Sequence, residues 1–203
     1  RKNKCSVLMY PEAGYSFDGR ATALPQKMGG LLKLLDVPVV MIRADGAFLR
    51  DPLYNGLQKR KVKVSADVTC LATAQQVKEM TVAQLDALLD EAFSFDNFKW
   101  QQENKIAIPD AERAEGLNRV LYKCPHCNSE NKMEGKGISL TCHACDKKWI
   151  MDEYGQLSAE DGETEYPHIP DWYSWQRECV RKEIEDGTYL IDTDVDISIQ
   201  VNL

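Results

Sequence analysis

Two Cys-x-x-Cys pairs, CPHC at 124–127 and CHAC at 142–145, constrain this chain more than any other feature. Pairs at this separation form two facing turns that bring four thiolates to the corners of a tetrahedron. Between them NKMEGKGISLT offers a glycine-bearing turn and a short strand, and KKWIMDEYG continues as another strand. A ribbon over residues 117–155 is therefore expected, with Cys124, Cys127, Cys142 and Cys145 as ligands. Soft sulfur donors in a tetrahedron suit zinc or iron, and zinc is the expected structural cofactor. Paired thiols serving redox chemistry are the competing reading. Four cysteines leave no open position for a substrate or an activated water, so the ribbon is support or docking surface rather than an active site. His126 and His143 lie inside the turns and are read as shaping them, because the ligand set is complete without them.

Seven cysteines, four of them in tight pairs, read as metal ligands of a reducing compartment and not as a disulfide framework. Cys5, Cys70 and Cys179 are expected as small buried apolar residues. The formal charge of −7 becomes about −9 when four ionised thiols subtract four and a dication adds two. Such a balance argues against broad nucleic-acid binding, and none is expected. The apolar run LLKLLDVPVVMI is interrupted by Lys33, Asp36 and Pro38, short of the roughly 18 residues of a membrane span. The opening RKNKCSVLMYPE lacks the apolar length and cleavage site of a signal peptide, so a cytoplasmic location is the default.

Residues 1–108 read as α/β. CSVLMY (5–10) is a short apolar strand, PQKMGGLLKLLD (25–36) a helix, and VPVVMIR (37–43) a second strand whose continuous apolarity suits burial on both faces of a parallel sheet. Strand, helix, strand within about forty residues makes a right-handed βαβ unit. Gly29 and Gly30 weaken the helix but permit close backbone packing. In 58–71, Val62, Val64, Ala66 and Val68 alternate with polar residues, the pattern of a half-buried strand. Thr81 caps an amphipathic helix carrying Leu85, Leu88, Leu89 and Ala92. Residues 156–203 open with the acidic linker SAEDGETE, continue as a helix from DWYSWQ, and close with the alternating YLIDTDVDISIQV as strand or hairpin.

By its residues alone, YPEAGYS is a strand end entering a turn: Pro11 stiffens the exit, and Ala13-Gly14 let the backbone approach a ligand. In open α/β sheets ligands bind beyond strand carboxyl ends, while a solvated turn glutamate is the plainer reading. VLMYPEAGYS followed by LLKLLDVPVVMI resembles the glycerophospholipid acyltransferase family, the 1-acylglycerol-3-phosphate acyltransferases. That family carries F-P-E-G-T-R-S at a strand end and V-P-[VI]-[VI]-P-[VI] on a later strand. Tyr10, Pro11, Glu12 and Ser16 match the first block, and Val37, Pro38, Val39 and Val40 the second. The downstream ribbon and IPDWYSWQRECVRKEI look like a bacterial subgroup with a zinc-ribbon extension.

The resemblance implies a partial acyltransferase-type α/β domain, a small four-cysteine zinc ribbon and an α+β C-terminal extension. It implies an acceptor site formed by Tyr10, Pro11, Glu12, Ala13, Gly14 and Ser16, with Glu12 helping to bind a lysophosphatidate-like acceptor. The acyl donor is acyl-carrier protein or acyl-CoA, in phospholipid biosynthesis. Two positions depart from the block: Ala13 replaces a glycine, and Tyr15 replaces an arginine suited to a phosphate. Arg20 and Arg43 are alternative cations, and spacing assigns neither.

The family's base is a histidine in His-x-x-x-x-Asp, which deprotonates the acceptor hydroxyl. His126, His143 and His168 are followed five residues on by Asn131, Lys148 and Tyr173, so none fits and no catalytic residue is assigned. The expectation is a fragment lacking the histidine-bearing half, inactive by itself, with a degenerate relative as the other explanation. QKRKVK (58–63) puts Lys59, Lys61 and Lys63 on one strand face, a solvated edge or a peripheral contact with an anionic membrane. Trp172, Tyr173 and Trp175 are expected to pack on a neighbouring domain. A non-catalytic zinc-ribbon module docking on protein or nucleic acid is the alternative; the acidic charge and the Tyr-Pro-Glu turn weigh against it.

Overall fold

A computed structural model describes residues 5–12 and 14–191. Ala13 and most of the alternating stretch 189–201 lie outside the described residues. The N-terminal half comprises helix α1 (Met28–Leu35), strand β1 (Val39–Asp45), the single turn α2 (Ala47–Arg50), strand β2 (Ser65–Ala72), and helices α3 (Ala74–Glu79), α4 (Val82–Ala92) and α5 (Asn97–Glu103). Helix α4 begins as its sequence requires: Thr81 and Gln84 bond reciprocally in a capping box. Thr73 and Gln76 repeat the device at α3. Gly29 is where α1 crosses α4, since a Cβ there would come within 2.4 Å of the Val82 carbonyl oxygen. Leu32, Ala72, Val77, Leu85 and Leu89 form the small core that results.

Several sequence expectations fail here. Residues 5–10 form no strand, and Val7, Leu8 and Tyr10 are exposed. β1 pairs antiparallel with β2 in a two-stranded sheet, so the parallel βαβ unit is absent from the described residues. Periodicity marks a segment as extended, but ladder partners make it a strand, and the fold sets 65–72 beside 39–45. Nor is β1 buried on both faces: Val40, Ile42 and Ala44 lie opposite Cys70, Val68 and Ala66 on one bare apolar face. Ile42 is 63% exposed and Val68 70%. Val62 alone of the alternating valines is buried, and it precedes the strand. Lys59, Lys61 and Lys63 are exposed, but on irregular chain, because the ladder starts at Ser65. Cys5 and Cys70 are exposed and Cys179 half-buried, against the expectation of buried apolar residues.

The second half is built on β3 (Met133–Lys136), β4 (Ser139–Cys142), β5 (Lys148–Met151) and β6 (Leu157–Ala159), an antiparallel sheet in sequential order. The sheet passes beyond residue 155: the stretch read as an acidic linker starts as its fourth strand. Helix α6 (Ile169–Glu185) has Pro170 in its first turn, where a missing N–H costs no helical bond, and His168 as its cap residue. Trp172 is fully buried, its ring 4.9 Å from that of Trp149, and Tyr166 stacks on Trp175 at 5.7 Å. The same core takes in Phe98 of α5 and Tyr54, so sheet, α5 and α6 pack as one body. No helix among the described residues is long and apolar enough to cross a membrane.

Candidate metal centre

Each Cys-x-x-Cys pair folds into the same knuckle. The N–H of the first cysteine donates to the carbonyl five residues on, Cys124 to Ser129 and Cys142 to Lys147, both at 2.9 Å. The residue after the second cysteine turns left-handed: Asn128 at φ 60° and Asp146 at φ 59°, residue types that tolerate this region. The N–H groups of His126 and Cys127 point at the Cys124 sulfur, that of Ser129 at Cys127 and that of Lys147 at Cys145.

All four sulfurs lie within 4.8 Å of one another, with Cys124 and Cys145 3.8 Å apart and Cys127 and Cys142 3.7 Å apart. A tetrahedron with metal–sulfur bonds of about 2.3 Å has edges of about 3.8 Å, whereas a disulfide needs about 2.05 Å. The spacing fits a tetrahedral metal ion. Burial pushes the Cys124 and Cys145 thiols up, while the Ser129 hydroxyl and N–H draw Cys127 down to about 6. Four thiolates this close repel one another, and a dication among them stabilises all four. His126 and His143 stand outside the set, 3.3 Å from Glu165 and 3.1 Å from Glu134.

A polar brace holds the first knuckle to α6. Lys123, beside Cys124, donates its N–H to Gln176 Oε1 at 3.0 Å, and its carbonyl accepts from Trp172 Nε1 at 2.9 Å. Its Nζ reaches Glu130 at 3.0 Å and Glu183 at 3.1 Å, so the buried charge is paired twice. Gln176 also donates to the Val120 carbonyl at 2.9 Å. Sequence reasoning missed Lys123 and Gln176. The available signal was a glutamine four residues after Trp172, on the helix face that the tryptophan buries.

The turn after Tyr10 is a second ordered feature. Glu12 Oε1 accepts the Thr22 N–H at 3.0 Å, and the Thr22 hydroxyl donates to the Glu12 carbonyl at 3.3 Å. Ser16 Oγ accepts from the Gly19 N–H at 2.8 Å and donates to the Arg20 carbonyl at 2.6 Å. Pro11 and Glu12 are half-buried, while Tyr10 and Gly14 are exposed. Both alternative cations are engaged elsewhere. Arg20 pairs with Asp96 and Asp171, and Arg43 pairs with Asp45 at 2.9 Å beneath the Phe95 ring. Burial raises Asp96, but His168, the Lys99 N–H and Arg20 outweigh it and hold the carboxyl down at about 2. Asp96 carries no sequence signal beyond that of a helix cap.

No family model, curated protein or solved structure matches the chain.

Proposed function

We propose that the chain belongs to a glycerophospholipid acyltransferase, whose acceptor site includes Glu12 and whose ribbon is a structural zinc centre. In the reaction, an acyl group passes from acyl-carrier protein or acyl-CoA to the free hydroxyl of a lysophosphatidate-like acceptor. The observation that carries this is the Glu12 turn. The glutamate and serine of the resembling block are both fixed in it, Glu12 through Thr22 and Ser16 through Gly19 and Arg20. A carboxylate held by a backbone N–H keeps one oxygen for an acceptor hydroxyl.

The proton transfer falls to a histidine outside these 203 residues, because none of the three here has an aspartate five residues on. Zinc, when bound, supplies cross-linking of the two knuckles and no open coordination position. Cys124, Cys127, Cys142 and Cys145 would hold it.

The test pairs two assays. Alone, the chain transfers no acyl group from an acyl-thioester to lysophosphatidate. Supplied with a polypeptide bearing a His-x-x-x-x-Asp block, it does, and Glu12→Gln raises the acceptor KM about tenfold, the scale of one lost charge-assisted hydrogen bond. An unchanged KM and kcat in Glu12→Gln contradicts the reading. Transfer by the chain alone contradicts the assignment of the base.

A further inference from the structure

We propose that Arg20 and Asp96 are positioning residues that fix the Glu12 carboxylate by fastening its turn to helix α6 of the ribbon body. Its meaning for catalysis rests on the acceptor-site reading of Glu12, but the fastening itself does not. The chain of contacts is continuous. At the ribbon end, Gln156 of the β5–β6 turn bridges to His168, and the Leu157 N–H donates to the Pro167 carbonyl at 2.8 Å. His168 Nε2 then donates to Asp96 Oδ2 at 2.8 Å, and Arg20 Nε donates to the same oxygen at 3.2 Å. The other guanidinium nitrogens reach the first turns of α6, at Asp171 Oδ1 (2.5 Å), Ser174 Oγ (3.0 Å) and the Pro170 carbonyl (3.3 Å).

The backbone on either side of Arg20 is pinned to the same frame. Asn97 donates twice to the Gly19 carbonyl, from N–H at 2.9 Å and Nδ2 at 2.7 Å, and the Ala21 N–H donates to the Phe95 carbonyl at 3.0 Å. Gly19, at φ 88°, is seated so closely that a Cβ would lie 3.0 Å from both Phe48 and Phe98. One residue past this anchored stretch is Thr22, whose N–H holds Glu12. An exposed Arg–carboxylate pair contributes little. This one differs because Asp96 is only 16% exposed and a single guanidinium meets acceptors on two separate elements. Losing either partner removes the side-chain link from the turn to α6 and leaves the backbone bonds of Gly19 and Ala21 to hold it alone.

Amide exchange by NMR on the metal-loaded chain reads the fastening directly. Asp96→Asn removes the charge but keeps a residue that caps α5 equally well. The Thr22 and Ala21 amides are expected to exchange at least tenfold faster, with Val77 and Leu89 unchanged. Arg20→Gln does the same, and Arg20→Lys, which retains the charge but not the fork, recovers part of the protection. Unchanged Thr22 exchange in a folded Asp96→Asn overturns the proposal. Should that variant fail to fold, unchanged exchange in Arg20→Gln overturns it equally. Faster Thr22 exchange alongside a silent Glu12→Gln would leave the fastening standing and remove the acyltransferase reading.

Discussion

The ribbon body and the β1–β2 region are both strand-bearing, yet they bury their side chains very differently. Among the described residues, the ribbon core unites fifteen buried residues from Tyr54 to Trp172, whereas the N-terminal cluster has five. The contrast runs against apolar content. β3 reads MEGK and is buried at alternate positions, while β1 reads VVMIRAD and leaves Val40 and Ile42 bare. What decides burial is whether both sides of a sheet find cover. In the ribbon, α6 lays Trp172 against Trp149 and the knuckles close one end. β1 and β2 receive α1, α3 and α4 on one side alone among the described residues.

The comparison breaks most sharply at Trp172. Replacing it by alanine removes the largest side chain shared by sheet and helix and unpairs the Lys123 carbonyl, so about 3–5 kcal/mol of stability is expected to go. Thermal unfolding measures this. An effect under about 1 kcal/mol would mean that α6 is not part of the ribbon core.

Acid probes the joint between the two regions. Asp96 is held at about 2 in the fold, below its ordinary 3.8, so its contribution is complete above pH ~4 and disappears as pH falls towards 2. The size is at most about 2 kcal/mol. Denaturant unfolding from pH 5 to 2 should show the loss in the native chain and less of it in Asp96→Asn. Equal pH slopes would contradict the joint.

The smallest effects separate cap from face. Thr81→Ala opens the α4 capping box and is expected to cost about 1 kcal/mol. Val68→Ser, on the bare face, is expected to stay within about 0.5 kcal/mol. A Val68→Ser cost near that of a core valine would show the face to be covered in solution, and native gels of the two variants would then be compared.

Local chemistry was legible in the sequence and long-range pairing was not. The cysteine spacing gave the knuckles, and Thr81 with Gln84 gave a helix start, because each rests on neighbours within five residues. Helix α6 began two residues before the expected Asp171, since Pro170 fits a first turn. The strand at 39–45 was legible as extended chain, but not its partner: an apolar run states what surface a strand needs, not which segment supplies it. Asp96 to His168 and Arg20 to Asp171 span 72 and 151 positions, and such residues carry no mark of each other. The same holds for Lys123 and Gln176.

The metal itself offers the most direct test. Native mass spectrometry of the reduced chain should find one ion, as a mass increase of one zinc less the two protons that a dication displaces. Substituted with cobalt, the site should show the absorption of a tetrahedral tetrathiolate, and Cys142→Ser should lose both signals together with amide protection across β3–β6. A metal-free chain that keeps β3–β6 protected, with Trp149 and Trp172 still buried, would contradict the account at its centre.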